Sequence, residues 1–223
     1  MLALLPASAD PPPPMVVLAV VLGVQTGVMA FLLGWAGTSV GRDLGLGSPL
    51  LEVVLRGGRP GLPRSLAWAG LWGALGGLGV VVLGGLFAPS MPPPIGGATP
   101  RPSPLQGLLA SAYGGITEEV LTRLGLMTLL TWAVSRMSGG RRGLALGVGI
   151  VGASLIFGAL HLPAAAQLWP FTGVVVARTM VLNVVFGAIA GALYASRGLE
   201  HAMAAHLCAD LVLHVIAPAL ASR

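Results

Sequence analysis

Several ionisable side chains sit in stretches of this sequence that are otherwise apolar, among them Glu118, Glu119, Arg123, His161, His206, Asp210 and His214. The first three share one run, roughly residues 105–134, with no other charge in it. A charge at the centre of a bilayer costs roughly 2.5–3.5 kcal/mol, so three facing lipid would cost on the order of 8–10 kcal/mol. They must therefore turn toward protein or a wet cavity. On a helix, Glu119 and Arg123 are i and i+4, stacked on one face and able to pair. Glu118 is rotated by about 100° and left free for other work. Phe157 and His161 are again i, i+4, and His206, Asp210 and His214 fall at i, i+4, i+8 on one stripe. Ionisable groups at membrane depth mark functional sites by default, and a constellation strengthens the case.

Several intramembrane chemistries lack their residues here. A zinc protease of the H-E-x-x-H kind needs a His-Glu pair, and none exists. Gly152-Ala153-Ser154-Leu155 does not supply the serine turn of a rhomboid-type protease, and an aspartyl protease needs two membrane aspartates where only Asp210 lies in a span. Glutamate with histidine remains. Plainer readings stay open beside it. Glu118, Glu119 and Arg123 could form a structural ion network, His161 could be a satisfied histidine at a helix end, and His206 with Asp210 could be a helix–helix hydrogen bond. For His201, at a membrane edge, and for His214 the plain reading is preferred. Arg178 reads as snorkelling or internally paired, and Asn183 as interhelical glue.

The elements that must position these groups are membrane spans. Of 223 residues, 55% are hydrophobic and 9% charged, with mean hydropathy +0.89. A soluble domain carries about 25% charged residues. All twelve basic residues are arginine, which reads as base composition rather than a nucleic-acid signal. Cys208 is the only cysteine, so no intramolecular disulfide is possible. Residues 1–14 end in four prolines, lack a basic n-region and read as a disordered lead rather than a signal peptide. Apolar stretches then run Met15 to Trp35, Leu66 to Phe87, Leu105 to Arg136, Leu144 to Leu160, Phe171 to Ala195 and His201 to Leu220. About 20 residues suffice to span, so the fold class is an all-α polytopic bundle of about six spans. The stretches between read as loops, among them Gly37 to Pro63 and the proline-rich Pro89 to Pro104.

Arg42, Arg56, Arg59, Arg64, Arg136, Arg141, Arg142 and Arg197 fall in alternate loops, against Arg101 and Arg223 in the opposite set. The positive-inside rule places the first set in the cytoplasm and both termini outside. In such a layout His161 and His206 lie near opposite ends of their helices, so a helix must be broken or displaced for them to meet. Gly114, Gly115 and the loop Leu162 to Pro170 are the expected irregularities.

The motifs Glu118-Glu119-x-x-x-Arg123, Phe157-x-x-x-His161 and His206-x-x-x-Asp210, in this order, resemble the CAAX protease and bacteriocin-processing family of intramembrane glutamate endopeptidases. The type II CAAX prenyl protease is its best-known branch. The resemblance covers roughly residues 105–216. It implies that Glu118 is the general base, that His161 holds the water, and that His206 with Asp210 stabilises the oxyanion. Glu119 and Arg123 would be an orienting ion pair, with Phe157 beneath His161 and no metal or other cofactor required. The family's last motif admits asparagine or aspartate. An ionised Asp210 cannot donate, so it must be protonated or must act by fixing the tautomer of His206. The resemblance implies residues 105–220 as the catalytic core, with residues 15–104 supplying two further spans. It also implies a peptide or membrane-protein substrate, with prenylated C-termini as the family's best-known case. The expected setting is a lipid bilayer, a bacterial plasma membrane, with no nucleic-acid partner. Two other classes remain: a non-catalytic immunity or chaperone-like protein of the same fold, and a proton-coupled transporter, although no inverted repeat is visible.

Overall fold

A computed structural model of the chain describes residues 13–59, 64–97 and 103–221. Residues 1–12, most of the expected lead, lie outside the described residues, as do Arg101 and Arg223. Among the described residues there is no strand. The helices are α1 (Pro13–Gly41), α2 (Pro49–Leu55), α3 (Arg64–Phe87), α4 (Pro104–Tyr113), α5 (Thr128–Met137), α6 (Arg142–Leu160), α7 (Leu162–Leu168), α8 (Gly173–Arg197), α9 (Leu199–Leu211) and α10 (Ala217–Ala221). Between α4 and α5 lie two π-helical segments, Gly114–Glu118 and Val120–Met127, and between α9 and α10 a third, Val212–Ile216.

Among the described residues five stretches are long and apolar enough to cross a membrane: Val16–Leu44, Arg64–Ser90, Arg142–Leu168, Gly173–Arg197 and Leu199–Leu220. The sixth expected span is a helical run over residues 104–137, set apart by its charges and its π turns. The chain is an integral membrane protein, and the expected bundle of about six spans holds. Two loops differ from expectation. The first helix runs on to Gly41, and the segment after it contains α2. Residues 162–168 are helical, so the break lies at His161 itself. Pro163 explains it, since a proline lacks the N–H that would continue α6 and clashes with the carbonyl one turn back.

Local chemistry sets the remaining ends. Ser103 caps α4 by accepting from the Gln106 N–H at 3.3 Å, while the Gln106 side chain accepts from the Ser103 N–H at 2.8 Å, a reciprocal capping box. Gly198 turns α8 into α9 with φ of 96°, a conformation open chiefly to glycine.

Small residues set the packing, as expected where lipid supplies no hydrophobic drive between helices. Helix α3 lies against α9, with Gly73 and Gly77 over the backbone of Ala205 and Ala209. Helix α6 lies against α8, where Gly187 meets Ser154 and Gly158 meets Met180. Helix α1 is the outermost, its apolar side chains exposed along most of its length, and only its second half docks on Leu124 and Thr128. A Cβ at Gly73 would fall on the Ala205 carbonyl, whereas one at Gly79 on the same helix meets nothing within 4 Å. Overpacking of this kind costs about 1–3 kcal/mol. Gly73→Ala should therefore lower the melting temperature in detergent and the extractable yield, while Gly79→Ala stays near wild type.

Candidate active site

Glu118 and Glu119 stand at the junction of the two π segments, and a wider turn of this kind is frequent at functional sites. The first segment begins at Gly114, the expected irregularity. A Cβ there would come within 2.5 Å of Asp210 Oδ2 and 3.1 Å of His206 Nε2. Only a glycine lets this backbone lie so close to α9. The Thr122 hydroxyl donates to the Glu118 carbonyl at 2.5 Å and tethers the turn that carries the carboxylate.

The two glutamates have separate environments. Glu119 is fully buried: its Oε2 lies 3.2 Å from Arg123 Nε, and its Oε1 lies 2.8 Å from His206 Nδ1. Arg123 is fully buried too, with its guanidinium 5.3 Å from the centre of the Phe157 ring. Its Nη1 and Nη2 have no hydrogen-bond partner among the described residues, so Glu119 and the ring face are what compensate the charge. The Glu118 side chain is 24% exposed, and its Oε2 stands 4.0 Å from His206 Nε2.

His206 is the centre of the arrangement. Carboxylates approach both ring nitrogens: Glu119 at Nδ1, and Glu118 and Asp210 at Nε2, the last at 3.6 Å. An ionised carboxylate only accepts, so Nδ1 carries a proton and donates it to Glu119. Asp210 lies one turn along the same helix and reaches only the Nε2 side. Nδ1 is thus engaged from another helix, by Glu119, while Asp210, one of whose two expected roles was to fix the tautomer, faces Nε2. The ring is held between Phe186, 4.8 Å away, and Phe157, 5.9 Å away.

His161 joins the site through the same phenylalanine. Its ring meets Phe157 edge-on at 4.6 Å, and its Nδ1 donates to the Phe157 carbonyl at 2.8 Å. A carbonyl only accepts, so in the neutral ring Nε2 keeps its lone pair. Phe157 therefore touches His161, at the end of α6, His206, within α9, and Arg123. Among the described residues the imidazole within 4.0 Å of Glu118 is that of His206, not His161. Beside the site, a cavity of about 320 Å³ opens between α1, at Thr26 and Met29, and Tyr113, Thr122 and Leu160. No group of three or more His, Cys, Asp or Glu among the described residues is arranged to hold a metal ion.

The residues set aside by the sequence fall variously. His214 Nε2 lies 3.8 Å from Asp210 Oδ1 at the rim of the cluster, and the stripe of spacings was the signal for it. His201 bonds Ser65 at 2.9 Å at the far end of α9. Arg178 stacks on Trp169 at 5.4 Å. The Asn183 amide donates to the Thr179 carbonyl of its own helix at 2.8 Å, so it does not bridge helices through that group as expected. Cys208 faces α3, its Sγ 3.0 Å from where a Cβ on Gly70 would stand. Breaking a buried ion pair by removing one partner costs roughly 3–5 kcal/mol. Glu119→Gln and Arg123→Met should each lower yield and melting temperature in detergent sharply, and Glu118→Gln should not.

The model of a protein family described as type II CAAX prenyl endopeptidase Rce1-like matches residues 100–212. No curated protein and no solved structure matches the chain. Every group around Phe157 lies within the matched residues, from Glu118 to Asp210, while α1 to α3 lie before them. A match over half of the 223 residues, on the segments that build this site, means that the chain belongs to the type II CAAX prenyl endopeptidase Rce1-like family.

Proposed function

We propose that this chain cleaves peptide bonds within the membrane by a glutamate–histidine mechanism, with Glu118 as general base. Family membership supports membrane protease activity at the level of the family; the CAAX specificity, mechanism and substrate are our reading. The observation that carries it is the division of labour between adjacent carboxylates. Glu119 is buried and committed to Arg123 and His206, whereas Glu118 stays partly open beside them.

In this reading a water rests against Glu118 and the lone pair of His161 Nε2. Glu118 takes a proton from it, and the oxygen attacks the scissile carbonyl carbon. The oxyanion faces His206 Nε2. That nitrogen can donate only if the ring carries both protons, and the carboxylates at its two sides, Glu119 and Asp210, are placed to balance that charge. Donors fixed in advance at a developing oxyanion are usually the largest contribution to such a rate. Collapse breaks the C–N bond, and Glu118 passes its proton to the departing amine. Glu119 is a positioning residue, holding His206 from behind. Residues 105–220 are then the catalytic core, and α1 forms one wall of the cavity through which a substrate segment enters from the membrane. The proposed substrates are peptides or membrane-protein segments, those with a lipid-modified C-terminus among them. The bacterial plasma membrane remains the proposed location.

The deciding measurement is cleavage by purified protein of peptides with and without a prenyl anchor, in the presence of EDTA. Wild type should cleave, and Glu118→Gln should fall by at least about 10²-fold, the usual scale for removing a positioned base, at unchanged melting temperature. Loss of activity in EDTA with recovery on adding zinc would overturn the mechanism. Because Cys208 faces α3, Cys208→Ala should cleave at wild-type rate, as measured on the same peptides.

A further inference from the structure

A second polar cavity lies at the opposite end of α9 from Asp210, where α1, α2 and the α8–α9 turn meet. It measures about 520 Å³ and is lined by Arg42, Arg56 and Arg197 together with Ser48, Glu52 and Ser196. Arg42 follows α1, Arg56 follows α2 and Arg197 ends α8, so residues far apart in sequence bring their charges to one hollow. A fourth arginine approaches it: Arg142 Nη2 lies 3.1 Å from where a Cβ on Gly45 would stand. Among the described residues the only acidic one in the lining is Glu52, which pairs with Arg56 at 3.4 Å. Arg42, Arg142 and Arg197 have no ion-pair partner among the described residues. The lining therefore carries a positive excess, three arginines against one glutamate.

The backbone around it is fixed. The Leu199 N–H donates to the Gly47 carbonyl at 2.9 Å, and the Leu51 N–H donates to Glu200 Oε1 at 2.9 Å. Both bonds tie the first turn of α9 to the segment that walls the cavity. On the outer side, α2 turns Leu51, Val54 and Leu55 outward, the last 76% exposed. A short helix with bare apolar side chains next to clustered arginines, at the common end of several spans, suits the plane where headgroups give way to acyl chains. The arginines that define the cytoplasmic side by the positive-inside rule are the same ones, and that leaflet carries anionic lipid.

We propose that this cavity is a binding site for one anionic phospholipid, its phosphodiester held among Arg42, Arg142 and Arg197 and its acyl chains lying along α2. A phosphate group matches the planar donor fork of arginine. The apolar flank is what favours a lipid over a free anion. Neither the hydrolytic chemistry nor its residues enter this assignment, and it stands whether or not Glu118 is the base.

The test is calorimetric titration of the purified full chain, in a neutral detergent, with dioctanoyl phosphatidylglycerol, dioctanoyl phosphatidylcholine and inorganic phosphate in turn. Saturable binding of the phosphatidylglycerol, at least tenfold tighter than of the other two, is expected. Arg42→Gln and Arg197→Gln, each checked for an unchanged melting profile, should weaken it at least fivefold. Arg136→Gln, which removes an arginine of the same set held over Trp132 at 5.6 Å, should leave it unchanged. Phosphate binding as tightly as the lipid would make this a free-anion site and overturn the proposal. So would equal binding of the zwitterionic lipid, or equal loss in all three variants, which would mean that only diffuse charge is felt.

Discussion

The contact on which the site depends is the bond from His206 Nδ1 to Glu119 Oε1, 2.8 Å long and sealed from solvent. Among the described residues Glu119 is also the only carboxylate paired with Arg123. One side chain thus holds both a buried cation and a buried imidazole in place. In a low-dielectric interior each of those groups would be costly alone. Together they form a small network whose members have discrete places, and α9 is locked to the Glu-bearing run at a single rotation. The Phe157 ring completes the lock, since its face takes the guanidinium while both histidines stand at its edges.

That network can form only because backbones approach closely. Gly114 brings the π turn against Asp210 and His206, and the glycines of α3 bring the other side of α9 equally near. Helix α9 is therefore gripped between two glycine-lined surfaces, and its polar stripe has little freedom to slide. Substituents as small as a methyl at these points would move charges rather than fill space.

Much of this was legible in the residues themselves. Three charges in an apolar run had to face inward, and the i, i+4 spacing put Glu119 on Arg123. Gly114 stood out as the place for an irregular backbone, and π-helix is what occurs there. What stayed hidden was contact across helices. Glu119 and His206 are 87 positions apart, and nothing in either motif says which carboxylate holds which nitrogen. The sequence therefore named Asp210, the local candidate, as one possible partner fixing His206, and did not name Glu119, which meets Nδ1. The second π segment was equally invisible, because Val120–Met127 holds ordinary helix formers and one glycine. Residues 162–168 looked like a loop because of Pro163, yet a proline near a helix N-terminus is compatible with a new helix beginning there. Asn183 was assigned between helices on polarity alone, and its amide satisfied itself one turn back.

The eight-residue π segment has a consequence for how the helix can change in length. A π turn closes its hydrogen bonds five residues back, one more than an α turn, and the Thr128 hydroxyl, which donates to the Arg123 carbonyl five positions before it, follows that spacing. Thr128 then meets the Tyr194 hydroxyl at 2.7 Å on α8. The residues below the segment are thereby phased to α8 and those above it to α9. Wound as regular α-helix at about 100° per residue, the same eight residues would turn further and put the two halves out of phase. The wide turns are what allow one run to keep both the Tyr194 and the Glu119 contacts. The extra residue acts as a phase shifter, and the distance along the chain between the two contacts is fixed as firmly as their chemistry.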